Sequence, residues 1–229
     1  MSHILKKRVL SALESNDLDG VVSLAANDRK VLSCLVRLAY DKETIVGWRA
    51  IKAVGIVARS LVKNDHEFLR ETCRKLLWSL TDESGGIGWA APEMLGEIVS
   101  TAPVQFQDII PIIASAYDVE EDVFRAGVLY ALARIAETAP ETAAPYQKIV
   151  VMSLADRDPL VKVRGIGLVR LLWPRANSKG IWSREYSERI RLSLDKLISD
   201  KGEAWVYQVN NFISIQVGDE ARALLKIIK

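Results

Sequence analysis

Two histidines, two cysteines and 29 carboxylates are the side chains from which this 229-residue sequence would have to build a catalytic or metal site. His3 lies near the amino terminus and His66 stands beside Glu67 at a helix start, with no cysteine cluster to complete a zinc ligand set. Cys34 and Cys73 fall inside apolar helical stretches and read as small buried hydrophobes, not as a disulfide or a reactive thiol. Neither a Ser-His-Asp nor a Cys-His arrangement follows from the spacing. No catalytic residue, metal or cofactor is expected.

The richest local chemistry lies in residues 82–97. Gly85, Gly86 and Gly88 precede Pro92, and Glu83, Trp89, Glu93 and Glu97 flank them. Glycines let the backbone double back and aim amides outward ahead of a helix amino terminus, which can receive a carboxylate or phosphate. A plainer reading has the glycines making a tight turn and Pro92 opening the helix. No Lys-Ser or Lys-Thr follows, so this is not a nucleotide-gripping loop.

The elements that position these residues come from a recurring phrase: an apolar helix end, an Asp, a polar turn, then a second apolar helix. Its aspartates are Asp41, Asp82, Asp118, Asp156 and Asp200, spaced 41, 36, 38 and 44 residues apart, as expected for two-helix repeats. In three of the four turns that follow, an Arg stands seven or eight positions after the Asp and is followed by a small residue: Arg49-Ala50, Arg125-Ala126 and Arg164-Gly165. The Asp or its neighbour is expected to accept from free amides of the second helix. The Arg is expected to meet the turn carboxylate of an adjacent repeat. The second repeat breaks the rule, with Ala90 in place of Arg, and such breaks are where function or strain is sought.

Helical periodicity dominates, and strand-like alternation bounded by hairpin turns is hard to find. Helices are expected near 4–14, 17–26, 28–39, 44–62, 66–80, 91–101, 104–116, 120–138, 142–154, 159–173, 183–199, 203–216 and 219–228. Residues 173–180 read as a surface loop. Trp48 and Trp89 occupy equivalent positions, with Phe124 and Val163 at the matching places later; they read as core, or as an aromatic stripe in a groove. Trp182 is the tryptophan that core packing explains least.

The phrase resembles the HEAT repeat, and more narrowly the HEAT-like repeats named after phycobilisome lyases. Residues 84–97 (SGGIGWAAPEMLGE) also resemble a segment of uncharacterised prokaryotic HEAT-like proteins. The resemblance implies an all-α fold, a right-handed α-α superhelix: a HEAT-like solenoid of about five helix pairs. One domain spans residues 1–229, with an N-terminal helical cap at 1–29, repeats at 30–215 and a C-terminal cap at 216–229. The last copy has Trp205-Val206-Tyr207 where the Arg-small pair would stand, as suits a terminal unit. HEAT-repeat deoxyhypusine hydroxylases hold iron through several His-Glu pairs, and only His66-Glu67 matches here, so that function is rejected.

The favoured function is a non-enzymatic scaffold that binds a protein or peptide along its concave face. Lys52, Glu83, Gly85, Gly86, Trp89, Glu93, Glu97, Tyr130 and Arg134 are the candidate binding residues. Asp41, Arg49, Asp82, Asp118, Arg125, Asp156 and Arg164 are read as a structural repeat ladder. The alternative is a nucleic-acid enzyme resembling HEAT-like alkylpurine DNA glycosylases, with Arg49, Arg125, Arg134, Arg164 and Arg170 on phosphates. A net charge of +2 does not demand a polyanion partner. No apolar run follows Lys6, Lys7 and Arg8, and no stretch reaches membrane-spanning length, so a cytoplasmic protein is the default.

Overall fold

A computed structural model of the chain describes residues 3–80, 87–118 and 122–228. The side chains of residues 87, 88, 177 and 178 fall outside that description. Contacts divide the chain into two compact units, Met1–Ile113 and Ala114–Lys229. The fold is all-α apart from one two-stranded sheet.

The first unit holds α1 (His3–Glu14), α2 (Leu18–Asn27), α3 (Lys30–Leu38), α4 (Ile45–Leu61), α5 (His66–Ser79) and α6 (Ala91–Val99). Side-chain caps start two of them. Asp17 accepts from the Gly20 amide at 2.8 Å, and Thr44 from the Gly47 amide at 3.1 Å. Helices pack as a repeat stack requires: α3 against α4, α5 against α6, and each α4-type helix against its successor, as α4 does with α6. The core runs through Leu13, Leu35, Ile51, Val54, Leu69, Cys73 and Leu95. Burial pushes the Cys73 thiol up to about 12, so both cysteines serve as the packing residues their setting suggested. Residues expected as a helix from 104 instead form consecutive turns, which Phe106 anchors by stacking on His66 at 5.0 Å.

The division between units falls inside α7 (Ile110–Ser115). The second unit continues with α8 (Arg125–Thr138), α9 (Pro140–Ala143), α10 (Gln147–Leu154), α11 (Pro159–Ser178) and α12 (Arg184–Leu197). Strands β1 (Glu203–Gln208) and β2 (Asn211–Gln216) then lead into α13 (Val217–Leu225). Here too α8 packs on α11 and α11 on α13, while α10 packs on α12. Successive pairs thus cover one another within each unit.

Three expectations are corrected in this unit. Residues 173–180 are not a loop from their start, because α11 runs on to Ser178 with Pro174 inside it. Proline deletes one helical hydrogen bond, yet buried Trp173 and Ala176 hold the helix against its neighbours, and Ala176 ends it by accepting from the Ile181 and Trp182 amides. Trp182 is buried core: its indole Nε1–H donates to the Ala144 carbonyl at 3.0 Å, and its ring meets Trp173 and Tyr186 edge-on. Residues 203–216 are not a helix but an antiparallel hairpin. Gly218, directly after it, is required: a Cβ there would lie 2.6 Å from the Ile198 carbonyl oxygen, where the α13 start crosses the end of α12.

Three of the recurring aspartates share one local task. Asp41, Asp156 and Asp200 each accept, through Oδ1, from the amide two residues on: Glu43, Asp158 and Gly202. That side-chain turn explains why Asp recurs at the phrase's pivot. Asp200 also receives Lys162 at 2.7 Å, and the ammonium together with the Gly202 amide holds its carboxyl below the usual range. A carboxyl depressed on folding stabilises fully above its ordinary value and loses that contribution as pH falls through the lower folded value. The substitution Asp200→Asn should therefore cost stability by a constant amount above the ordinary value of 3.8, and the gap from wild type should close below it. Urea unfolding measured as a pH series checks this.

Candidate functional site

Of the candidate residues, Lys52, Trp89, Glu93 and Glu97 come together in the first unit. Glu83, Gly85, Gly86 and the ladder residue Asp82 lie outside the described residues. Tyr130 and Arg134 belong to α8 of the second unit.

The first group is organised by α6, every residue of which is buried. Pro92 and Glu93 occupy its first turn, where a missing amide costs nothing and a carboxylate suits the helix dipole. Glu93 and Glu97 stand one helical turn apart and share a face. They were expected on an open groove, yet they are 0% and 2% exposed. The reason is that α4 covers that face and supplies a counter-charge. Lys52 Nζ reaches Glu97 Oε1 at 3.0 Å across the α4–α6 contact. From the turn before α4, Lys42 Nζ reaches Glu93 Oε1 at 3.2 Å and the Trp89 carbonyl at 2.7 Å. Lys42 was not singled out in the sequence; its place one residue after Asp41, in a turn facing the next repeat, was the available signal.

Gly55 lets α4 come this close. A Cβ there would stand 2.5 Å from Glu97 Oε2. Trp89, in the short 3₁₀ turn Ile87–Ala90, is 48% exposed, whereas its repeat-equivalent Trp48 is 4% exposed. The equivalent positions therefore split: Trp48, Phe124 and Val163 are core, and Trp89 faces outward.

The ladder residues bridge repeats in two ways. Arg125 meets carboxylates, Asp156 of the following repeat at 3.1 Å and Asp122 at 2.8 Å. Arg49 and Arg164 instead donate to backbone carbonyls of preceding segments: Arg49 to Leu13 and Glu14 at the end of α1, Arg164 to Ala126 at 2.7 Å. Unpaired carbonyls at the carboxyl end of α1 are natural acceptors for the Arg49 guanidinium, whereas Ala126 lies in the first turn of α8. Asp118 lies 3.6 Å from Lys148. Tyr130 lies under the Arg164 guanidinium, 5.3 Å from ring centre, and Arg134 pairs with Glu137. Arg170 pairs with Glu220 at 2.6 Å. The arginines named as phosphate contacts thus each hold a partner within the chain.

Among the described residues no group of three or more His, Cys, Asp or Glu is placed to hold a metal ion, and no helix is long and apolar enough to cross a membrane.

No family model matches the chain, and no curated protein does. Its fold is similar to the crystal structure of an engineered protein determined as a structural-genomics target, with a TM-score of 0.57 and 14% identity over 100% of this chain and 99% of that one. The likeness concerns the fold alone. An archaeal HEAT-like repeats protein from Thermococcus onnurineus NA1 matches over 97% of this chain and 96% of its own at 15% identity. Its TM-score of 0.39 adds nothing to the fold assignment.

Because Gly55 and the Lys52–Glu97 pair set one close interface, two substitutions should be costly there. Gly55→Ala forces α4 from α6 or turns Glu97 off its partner, and about 2 kcal/mol of unfolding free energy should be lost. Lys52→Met leaves the buried carboxylate short of its cation, with a loss of similar size, about 2 kcal/mol. Chemical denaturation reads both; an unchanged midpoint in either variant would contradict this account of the interface.

Proposed function

We propose that the chain is a binding scaffold that holds a protein or peptide segment, anchored in the first unit at Trp89. The observation that carries this reading is the contrast between Trp89 and Trp48. One repeat buries its tryptophan, and the next presents the equivalent ring to solvent on a fixed base. Lys42 holds the Trp89 carbonyl and, with Glu93, ties the 3₁₀ turn to the preceding repeat. A large ring kept outward on a rigid mount loses little freedom when a partner covers it, which is how aromatic anchors concentrate binding energy. Tyr40 and Trp78 are further exposed aromatics at helix ends of the same unit.

Glu93 and Glu97 take a different part from the one their sequence suggested. Buried and paired, they brace the mount, and a partner would touch Trp89 rather than the carboxylates. Substituting them would report on folding.

The test separates those roles. Trp89→Ala removes a half-exposed ring and should lower the unfolding free energy by about 1–2 kcal/mol while leaving the fold intact. It should also abolish the partner set recovered when the native protein is used as bait, identified by mass spectrometry. A recovered set identical to that of wild type would exclude Trp89 as the anchor. Duplex DNA retained at low ionic strength and released by salt would instead favour a phosphate-binding role.

A further inference from the structure

The hairpin in the second unit is unlike everything around it. Among the described residues its sheet has two strands, so each strand keeps one edge. The turn residues Val209 and Asn210 have φ of 49° and 65°, the left-handed pair that a two-residue hairpin turn uses. Asn tolerates that conformation; a β-branched Val does so only under strain, and this one is 88% exposed. The turn sets which backbone groups are spent. Gln208 with Asn211, Val206 with Ile213 and Ala204 with Ile215 form the bonded pairs across the hairpin. The backbone groups of Phe212, Ser214 and Gln216 on β2 then point away from β1. Phe212 N–H is held at 2.9 Å by the exposed Asn211 side chain, which a better acceptor can displace. Among the described residues, the Ser214 amide meets no acceptor.

We propose that this edge pairs with the same edge of a second copy of the chain, β2 against β2 in antiparallel register about Ser214, closing a four-stranded sheet across a two-fold axis. It lies wholly in the second unit and does not depend on the Trp89 reading. The composition of β2 selects that occupant. Natural edge strands are guarded by lysine, proline, a bulge or an inward charge; β2 reads Asn-Phe-Ile-Ser-Ile-Gln and carries none of them.

The strand is also self-complementary. With Ser214 opposite Ser214 of the second copy, Ile213 falls opposite Ile215 and Phe212 opposite Gln216. β-branched side chains thus face one another, and Ser214 Oγ holds the one charge of the hairpin, the Glu203 carboxylate, at 2.9 Å on its own copy. The other edge does not offer this, since β1 itself carries the charged Glu203. Trp205, 67% exposed, lies opposite Ser214 in the hairpin, on the face that also carries the edge-on pair Tyr207 and Phe212. Pairing about Ser214 places these rings from both copies on one face of the sheet, with Ser214 and Gln216 between them. Because the interface uses the same patch twice, assembly stops at two.

Sedimentation of the full chain over a concentration series tests the proposal. Wild type should show twice the mass of one chain as concentration rises, with the Ser214 amide increasingly protected from hydrogen exchange. The substitution Ser214→Pro deletes that outward amide and leaves the hairpin's own bonds in place, so self-association should weaken at least about ten-fold. Ile213→Lys puts a charge beside Ile215 of the second copy and should act in the same direction; if the proline variant fails to fold, judged by its helical melt, this one decides. A single-chain mass for wild type at every concentration overturns the proposal. So does a dimer that survives in the folded variants, because it would use another surface.

Discussion

Each helix pair in either unit has an apolar side that it cannot bury by itself, and the next pair supplies the cover. That dependence shapes nearly everything else. It explains why α4 packs on α6, α8 on α11 and α11 on α13, each long helix facing its successor. It explains why polar side chains that span one repeat recur at these seams: Lys52 to Glu97, Arg70 to Asp108, Arg125 to Asp156, Lys162 to Asp200 and Arg170 to Glu220. Apolar contact sets how strongly two pairs adhere but is tolerant of sliding. A charged tie with one correct partner is not tolerant, because displacement by a helical turn, about 5.4 Å, leaves both groups without hydrogen bonds. The ties therefore set register, and hydrophobic burial supplies most of the adhesion.

The extreme case is α6. A helix covered on every side has no surface on which to place a carboxylate, yet this one carries two. Desolvating an anion is expensive unless a cation comes with it. Lys42 and Lys52 approach from different segments, the turn before α4 and α4 itself, and each keeps part of its own side chain in solvent. Partial hydration of the ammonium groups limits their desolvation cost, and their proximity limits that of the carboxylates. Gly55 is part of the same solution, since a side chain there would push either α4 or the Glu97 carboxylate out of place.

The repeat phrase was legible in the sequence because its signals are local. Asp41, Asp156 and Asp200 close turns within two residues, and the apolar spacing of α3 and α4 follows from helix geometry alone. Less legible was whatever depends on a second segment. Glu93 and Glu97 look like surface carboxylates until α4 is laid across them. Trp182 looks surplus until Ala144 offers its carbonyl and Trp173 its edge. Arg49 was paired with a carboxylate in the sequence reading because Asp recurs; helix ends also leave carbonyls open, and nothing in the residue order says which acceptor is nearer.

The hairpin failed to announce itself for a different reason, and that reason bears on what the second unit is built to do. Residues 203–216 are rich in Val, Ile, Trp, Tyr and Phe, a strand composition, but the turn is Val-Asn where Asn-Gly or Asp-Gly would have flagged it. A local rule was broken, and the conformation is held by six cross-strand residue pairs and by packing on α11. α13, the helix that follows, already packs on α11, so this stretch is not called on to supply a further helix there. The hairpin instead covers α11 with Ala204, Val206 and Ile215 and turns Trp205, Tyr207 and Phe212 outward. A hairpin that seals the core below it and keeps an uncharged strand edge on β2 is suited to receiving another strand.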